Sequence, residues 1–102
     1  MTDSGPSPTP FEAAVYRALS RLEPGEVVTY GDIAGEAGFP GAARAVGMLL
    51  ARADTDVAWW RVVTSSGRLV PGYEAEHARR LRAEGRVVRG EGPRARVVRS
   101  SA

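Results

Sequence analysis

The two tryptophans of the chain are adjacent, at positions 59 and 60, and Arg61 follows them in the stretch VAWWRVV, residues 57–63. An indole ring offers a flat surface for stacking and van der Waals contact. A guanidinium donates paired hydrogen bonds to anions such as phosphate. The residue types of this stretch therefore indicate binding chemistry, and its purpose depends on what the rest of the chain supplies.

Nucleophilic and metal-assisted chemistry have few residues available. The 102-residue chain contains no cysteine and one histidine, His77. The sequence therefore excludes a disulfide, a thiolate metal site and a thiol nucleophile, and it makes a zinc cluster or histidine-based catalysis difficult to assemble. We expect neither a metal nor a cofactor.

Positive charge is concentrated in the second part of the chain. All 14 basic residues are arginines, and the formal net charge is +2. Residues 1–60 carry four arginines against eight acidic residues, whereas residues 61–102 carry ten against four. A polyanionic partner is one explanation, and genome composition is another that charge alone leaves open.

Length and composition predict one compact domain. Hydrophobic residues at 43% and charged residues at 25% are ordinary globular values. No apolar run approaches the roughly 20 residues that cross a bilayer. Residues 1–10, MTDSGPSPTP, lack the basic start and apolar middle of a signal peptide. We therefore expect a monomeric cytoplasmic protein without membrane association.

Three helices are predicted before the tryptophan pair. Thr9-Pro10-Phe11-Glu12 is a capping box that starts a helix ending before Pro24-Gly25. Thr29-Tyr30-Gly31-Asp32 is a second capping box, and it starts a short helix that Gly38 closes. Residues 42–53, AARAVGMLLARA, form the third helix. The tight turn between the second and third helices predicts a helix-turn-helix.

The third predicted helix has an unusual outward face. On a helical wheel its core face holds Ala42, Val46, Leu49, Leu50 and Ala53, and its opposite face holds Arg44, Gly47, Met48 and Ala51, with Ala43 at the edge. A solvated face normally carries Glu, Lys or Gln. Small residues around one arginine therefore indicate close approach by a partner, and a helix packed on both sides is the alternative.

The remaining chain predicts a wing and a fourth helix. Residues 60–64 and 68–70 flank Ser65-Ser66-Gly67 and predict a β-hairpin that suits the wing of a winged helix-turn-helix. Residues 73–84 form a polar C-terminal helix. The predicted fold class is α+β, mainly α, with a winged helix-turn-helix domain at residues 9–85, a disordered lead at 1–8 and an arginine-rich tail at 86–102 that can pair as a small hairpin.

Four stretches, VVTYGDIA, AARAVG, WWRVVTSSGRL and LRAEG, occur in this order between residues 11 and 85. They resemble the C-terminal DNA-binding domain of the O6-alkylguanine-DNA alkyltransferases. In that family Pro-Cys-His-Arg-Val precedes the wing, and the cysteine takes the alkyl group from the damaged guanine. The matching residues here are Ala58, Trp59, Trp60, Arg61 and Val62.

This departure changes the chemistry that the resemblance implies. Alkyl transfer needs an activated thiolate, which the indole of Trp59 cannot replace. Trp60 replaces the histidine, so Glu84, which resembles the carboxylate that orients it, has no imidazole to orient and is expected to cap a turn. The pattern is similar to the alkyltransferase-like proteins, which carry tryptophan in place of the cysteine and bind alkylated guanine without repairing it. Ala58 and Trp60 depart from the Pro-Trp-His-Arg form common in that subgroup.

The resemblance also implies DNA contacts for the third helix. A base in a duplex enters a protein pocket only after it has been flipped out. Arg44 matches the finger residue that fills the gap, and a solvated surface charge is the alternative. Ala43, Ala45 and Gly47 match small positions where the recognition helix lies in the minor groove.

A lesion pocket follows from the same resemblance. Tyr30 matches the tyrosine that crowds the phosphate beside the target nucleotide, and Trp59 lines the pocket. Val62 contributes backbone contacts to the flipped base, and Tyr73 closes the pocket. The alternatives are a half-buried packing ring for Tyr30 and a space-filling plug for Trp59.

The remaining arginines are assigned by position. Arg52 and Arg68 are candidates for phosphate contacts, so DNA affinity should depend on salt. Arg61 is expected to brace its loop. A solvated face of the fourth helix is expected to hold Arg79, Arg80 and Arg82.

Together these assignments predict a noncatalytic DNA damage recognition protein. It would flip O6-alkylguanine in double-stranded DNA and flag it for nucleotide excision repair, so its partners would be the damaged duplex and excision repair proteins. A winged-helix transcription regulator that binds undamaged DNA is the alternative, and it predicts a dimer with a preferred sequence. An enzyme acting on nucleobases would need a metal or an acid–base pair that the sequence does not offer.

Overall fold

The computed structural model describes residues 8–52 and 57–98. Within them the helices and strands are α1 (Pro10–Ser20), β1 (Val28–Thr29), α2 (Tyr30–Glu36), α3 (Ala43–Arg52), β2 (Val62–Val63), α4 (Glu74–Ala83), β3 (Val88–Arg89) and β4 (Arg96–Val97), with 3₁₀ turns at Trp59–Arg61 and Gly92–Arg94. The predicted disordered lead, apart from Pro8, lies outside the described residues, as does Ala53 of the predicted third helix.

Both predicted capping boxes are present. Thr9 Oγ1 accepts a hydrogen bond from the N–H of Glu12 at 3.1 Å, and Glu12 Oε1 accepts one from the N–H of Thr9 at 3.0 Å. Thr29 and Asp32 exchange the same two hydrogen bonds at 3.0 and 2.9 Å. Each box satisfies two backbone donors that a helix start would otherwise leave unpaired. Helices α1 and α2 therefore begin where the sequence predicts.

Glycine ends α2 and lets the chain turn into α3. Gly38 has a φ of +89°, and its N–H donates to the Gly35 carbonyl at 3.0 Å. The next N–H, of Phe39, donates to the Ala34 carbonyl at 2.8 Å. This pair of hydrogen bonds satisfies the last carbonyl groups of a helix when the residue after the C-cap has a left-handed backbone conformation. The predicted helix-turn-helix of α2 and α3 is thereby formed, and Gly85 ends α4 in the same way.

The predicted wing is a tight loop whose strands pair elsewhere. The N–H of Thr64 donates to the Arg68 carbonyl at 3.2 Å and closes the loop. The flanking strand β2, however, pairs in parallel with β1, in the register Val28↔Val62 and Thr29↔Val63. On the other side, Arg68 forms an antiparallel bridge with Arg96. The prediction of a two-stranded hairpin at this position is therefore wrong, because each side of the loop has a more distant backbone partner.

The predicted C-terminal hairpin is confirmed. Strands β3 and β4 pair antiparallel, with Val88 opposite Val97 and Arg89 opposite Arg96. Gly90 starts the connection at a φ of +82°, where an added Cβ would lie 2.7 Å from the Arg94 carbonyl oxygen. Only glycine fits there, so the turn position is fixed.

Two groups of buried side chains form the core. The first joins α1, α2 and α3 and comprises Val15, Ala18, Leu19, Ile33, Ala34, Val46, Leu49 and Val62. The second joins α4 to the C-terminal hairpin and comprises Val63, Leu69, Ala78, Leu81, Val88, Ala95 and Val97. Successive residues of a strand point to opposite sides, so the two residues of β2 each enter a different group.

Candidate nucleic-acid interface

Helix α3 buries one face and exposes the other. Val46 and Leu49 are 0% and 3% exposed, whereas Met48 is 59% exposed. The other exposed residues of this helix are Arg44, Ala45, Ala51 and Arg52, and Ala43 and Gly47 are partly buried. A helix packed on both sides is therefore ruled out. Met48, which received no role from the sequence, follows Arg44 by one turn and adds an apolar side chain to the outward face.

A cavity of about 290 Å³ lies beside this face. Its lining residues are Tyr30, Gly47, Leu50, Ala51, Trp59, Val70 and Tyr73. The structure thus brings together the predicted pocket residues Tyr30, Trp59 and Tyr73, with Gly47 from the predicted minor-groove set. Leu50, Ala51 and Val70 were not predicted to line it, although Gly47, Leu50 and Ala51 share helical i, i+3, i+4 spacing.

Val62 does not line the cavity. The whole residue, including the backbone that was predicted to contact the flipped base, is 0% exposed, and its side chain belongs to the core group of the first three helices. A residue of a two-residue strand between two core groups has no free face for a ligand. The cavity wall at this level is formed by Trp59, which lies in the 3₁₀ turn directly before β2.

Tyr30 and Gly47 bring α2 and α3 together at one wall of the cavity. Tyr30 is the first residue of α2, and its ring lies over Gly47, where an added Cβ would be 3.9 Å from two ring carbons. Burial raises the pKa of Tyr30 above the ordinary value of 10.0. The phenol therefore stays protonated near neutral pH and can donate a hydrogen bond.

Trp59 is held by aromatic and cationic neighbours on the side of α4. Its ring lies edge-on to the His77 ring at 5.0 Å and to the Trp60 ring at 6.1 Å, measured between centroids. Arg80 Cζ lies 5.6 Å from the centroid of Trp59 and 4.9 Å from that of Trp60. One guanidinium therefore contacts both indoles, a geometry in which cation–π attraction is significant.

This contact corrects the prediction for Arg80. Arg79 and Arg82 are exposed, although Arg82 also donates to the Val88 carbonyl at 2.9 Å, whereas Arg80 is partly buried against the tryptophans. Its Nε donates to Glu76 Oε2 at 2.7 Å, which orients the guanidinium. Two hydrogen bonds from Arg79 and one from Arg80 lower the pKa of Glu76 to about 2. In the sequence, this group looks like an ordinary surface ion pair on a helix.

Glu84 is the hydrogen-bonding centre behind the tryptophan pair. Trp60 Nε1 donates to Glu84 Oε2 at 2.9 Å, and the N–H of Gly25 donates to Glu84 Oε1 at 2.8 Å. Arg61 forms a bidentate pair with the same carboxylate at 3.0 and 2.7 Å, and its Nη1 donates to the Leu22 carbonyl at 3.0 Å. The Arg61 hydrogen bonds hold the pKa of Glu84 down at about 2. The expected turn cap and loop brace are both present.

Trp60 and Glu84 form a hydrogen bond that the sequence did not predict. The expectation was that Glu84 has no ring left to orient once histidine is replaced. Instead, the indole N–H donates to the carboxylate, as a histidine N–H can. This hydrogen bond connects the tryptophan turn to the end of α4.

His77 is fully buried and connects two cavity-forming segments. The Val70 N–H donates to its Nδ1 at 3.1 Å, so Nε2 carries the hydrogen and donates to the Trp60 carbonyl at 2.8 Å. Burial lowers the pKa of His77 below 6.5, although the carbonyl partner acts in the opposite direction. The neutral ring thus fixes Val70 and the tryptophan turn relative to α4.

The predicted phosphate contacts lie at the surface. Arg52, at the end of α3, is exposed and forms an ion pair with Glu12 at 3.1 Å. Arg68 is exposed beside the wing loop. In the described residues, no helix is long and apolar enough to cross a membrane, and no three His, Cys, Asp or Glu side chains are grouped to hold a metal ion.

Residues 10–89 match the family model described as the 6-O-methylguanine DNA methyltransferase, DNA binding domain. The chain belongs to this family. The match confirms the resemblance seen in the four sequence stretches. Within this shared fold, the wing differs from the prediction only in how its strands pair.

Relatives and solved structures extend this assignment. The chain is 38% identical over 86 residues to the DNA base-flipping protein of Escherichia coli (strain K12), which covers 80% of this chain and 67% of the relative. It is 41% identical over 75 residues to the methylated-DNA–protein-cysteine methyltransferase of Mycobacterium leprae (strain TN), but spans only 45% of that protein. Atl1 of S. pombe, solved in complex with damaged DNA containing O6-carboxymethylguanine, matches with a TM-score of 0.73 and 33% identity over 79% of this chain and 81% of that one. The chain is thus alkyltransferase-like, and its mainly helical α+β fold class is confirmed.

Proposed function

We propose that this alkyltransferase-like protein recognises O6-alkylguanine in duplex DNA, flips it into the cavity beside Trp59, and holds it without removing the alkyl group. The observation that carries the proposal is the cavity of about 290 Å³ between the outward face of α3 and Trp59. The chain has no cysteine to accept an alkyl group. Its relatives named as base-flipping proteins, and Atl1 bound to damaged DNA, support damage recognition as the activity.

Flipping a base out of the duplex costs a few kcal/mol of stacking and pairing. Protein side chains must offset this loss. In this proposal Arg44 enters the vacated space from α3, and it is exposed as that role requires. Ala43, Ala45 and Gly47 let the helix backbone approach the minor groove closely. Tyr30 lies at the cavity wall, where it crowds the phosphate of the target nucleotide.

The cavity suits a flat and uncharged ligand. Its walls are aliphatic and aromatic, and its polar side-chain atoms belong to Tyr30, Tyr73 and Trp59. Its volume is at the lower end of the roughly 300–1,000 Å³ of small-molecule pockets, which suits one modified base. Trp59 takes the position of the nucleophilic cysteine in this proposal, so the indole contacts the base and no covalent step follows.

Recognition without repair needs a second protein to remove the lesion. We therefore propose that the bound complex flags the site for nucleotide excision repair and that the protein acts as a monomer. Reconstituted incision of an O6-methylguanine duplex by an excision nuclease should increase when the protein is added. Unchanged incision would contradict the recruitment step while leaving lesion binding to be judged separately.

A duplex carrying O6-[³H-methyl]guanine tests the central proposal. We expect the protein to bind it more tightly than the matched undamaged duplex and to carry no label after denaturation. Label on the protein would contradict the noncatalytic role. Equal affinity for the two duplexes would contradict lesion recognition and favour a winged-helix regulator of undamaged DNA.

Arg44→Ala tests the finger assignment. Because the gap left by the flipped base would be unfilled, we expect lesion affinity to fall by about tenfold or more, with little change in the midpoint of thermal unfolding. Arg17→Ala removes the same charge from an exposed position on α1 and is the matched control. A loss of stability that accounts for the loss of binding would show that Arg44 has a structural role instead.

A further inference from the structure

Three arginines from separate segments lie side by side next to the wing loop. Arg96 of β4 is opposite Arg89 of β3 in the antiparallel register, and it is opposite Arg68 in the bridge to the wing. Directly opposite residues of antiparallel strands point to the same face. Arg68, Arg96 and Arg89 therefore form one row across the strands, which we call the arginine row.

The neighbours of the arginine row show which way it faces. Each of the three arginines has a neighbour in the sequence that is buried in the second core group. These neighbours are Leu69, Val88 and Val97, which are 4%, 7% and 4% exposed. All three arginines are exposed. The alternation of buried and exposed positions directs the row away from the core and into solvent.

The arginine row has no ion-pair partner within the part of the chain that the structure describes. Among the hydrogen bonds and ion pairs of residues 8–52 and 57–98, none involves the guanidinium groups of Arg68, Arg89 or Arg96. Like charges placed directly opposite one another in a sheet are destabilising. Other arginines of the same region do have partners, since Arg82 donates to the Val88 carbonyl at 2.9 Å. The row is therefore available to an external anion.

Backbone geometry fixes the register of the row. Gly67 has a φ of +84°, and an added Cβ would lie 3.0 Å from the Val97 carbonyl oxygen. The N–H of Val97 also donates to the Gly67 carbonyl at 2.9 Å. The wing loop is thus pressed against β4, which keeps Arg68 beside Arg96.

We propose that the arginine row binds consecutive phosphates of one DNA strand next to the lesion cavity. Neighbouring strands are about 4.8 Å apart, so the row spans roughly 10 Å. Phosphates of one strand rise by about 3.4 Å per nucleotide along the helix axis, so the row covers about three nucleotide steps, and the long guanidinium side chains can each reach a different phosphate. Arg68 is two residues from Val70, which lines the cavity, so the row begins within about 7 Å of backbone from the cavity wall.

This inference relies on the proposed function only in taking DNA as the polyanion. The test is the salt dependence of binding to an undamaged duplex, which reports phosphate contacts whether or not lesions are discriminated. The variants are Arg89→Gln with Arg96→Gln and the corresponding double lysine variant. The α1 control is Arg17→Gln with Arg21→Gln, which makes the same charge change in the last turn and at the C-cap of α1.

Each phosphate contact contributes about 0.9 to the slope of log K against log salt. We therefore expect the double glutamine variant to lower the slope by about 1.8 and to weaken binding on the order of 30-fold at 0.15 M salt. The lysine variant should keep the slope, because it keeps the charges. The ratio of affinities for damaged and undamaged duplexes should not change, whereas Arg44→Ala should change it.

Two results would overturn the proposal. One is a slope and affinity in the double glutamine variant that equal those of the α1 control. The other is a double glutamine variant that binds duplex DNA as the parent protein does but no longer binds poly-glutamate. That result would indicate that the row binds an acidic protein. Circular dichroism and thermal unfolding of each variant establish that it is folded. If the double glutamine variant is not folded, the single variants Arg89→Gln and Arg96→Gln replace it, each of which should lower the slope by about 0.9; an unchanged slope in both would overturn the proposal.

Discussion

At the scale of single residues, the tryptophan pair divides into two roles. Trp59 lines the cavity, whereas Trp60 donates to Glu84. The guanidinium groups of Arg61 and Arg80 also contact Trp60, with Cζ atoms 5.3 and 4.9 Å from its centroid. One ring is thus available to a ligand, and the other belongs to the support behind it. The adjacent positions in the sequence give no indication of this division.

Glu84→Gln should destabilise the fold by about 1–3 kcal/mol, because hydrogen bonds to charged groups contribute that much. The amide would keep the shape of the side chain but would lose the charge that Arg61, Trp60 and Gly25 share. Urea unfolding should show a lower midpoint with an unchanged slope. Glu36→Gln, at an exposed position of α2, is the control, and an equal effect there would refute a special role for Glu84.

Trp59→Ala should reduce the preference for an O6-alkylguanine duplex by about 5- to 150-fold, because base–aromatic contacts contribute ~1–3 kcal/mol. Competition binding against the undamaged duplex measures this ratio. Trp60→Phe keeps a ring but removes the donor to Glu84, so it should lower stability and leave the ratio unchanged. If both variants changed the ratio equally, the division of roles would be wrong.

At the scale of elements, local signals predicted helices better than strand pairing. Both capping boxes and the glycine ends of α2 and α4 depend on residues within a few positions of each other, so the sequence displays them directly. The parallel pairing of β1 with β2 and the bridge from Arg68 to Arg96 join distant segments. Such pairings depend on how the core closes, which a local pattern around Ser65-Ser66-Gly67 does not contain.

Two glycines three residues apart, one in the last turn of α2 and one just after its end, should respond in opposite ways to alanine substitution. Gly35 lies within the helix with no atom within 4 Å of an added Cβ, so Gly35→Ala should stabilise the protein by about 0.5–1 kcal/mol. Gly38 has a φ of +89°, so Gly38→Ala should destabilise it by about 1–2 kcal/mol. Thermal unfolding of the two variants measures both effects. A shift of the same sign in both would contradict the role of Gly38 as the helix end.

At the scale of the whole molecule, the sequence grouped several residues that line the cavity but did not reveal what supports them. The exposed face of α3 and three of the four predicted pocket residues could be inferred, because periodicity and the family pattern reveal them. Burial of Val62 and the contact of Arg80 with both indoles could not, since each depends on how α4 packs against the tryptophan turn. The neutral tautomer of His77 is likewise a product of tertiary hydrogen bonding.

Stability should fall with pH in two separate stages. Burial in the folded state lowers the pKa of His77 below 6.5, so the unfolded chain binds a proton at a higher pH than the folded protein does. The contribution of His77 to the free energy of unfolding is therefore full above about pH 6.5. It is lost as the pH falls through the lowered pKa. The pKa values of Glu84 and Glu76 are about 2 in the folded protein, against an ordinary value of 4.5. Their contribution to stability is full above about pH 4.5 and is lost as the pH falls toward 2. Urea unfolding at pH 7.5, 5.5 and 3.5 measures both stages.

The chain has a single histidine, so His77→Gln isolates the first stage. This variant should be less stable at pH 7.5, because Gln does not reproduce both ring contacts, but its stability should be nearly constant between pH 7.5 and 5.5. The second stage should remain. A parent protein with constant stability over the first interval would contradict the assignment of a buried neutral imidazole.

Strand β2 has a mechanical consequence for DNA binding. Val62 and Val63 are consecutive, yet they anchor in different core groups, and the turn that carries Trp59 ends directly before them. Val63 packs in the same buried group as Val88 and Val97 of the C-terminal hairpin, and only three residues separate it from Trp59. A displacement of the hairpin should therefore reach the indole through this packing. Bending of the bound duplex and movement of the indole against a flipped base should therefore be coupled.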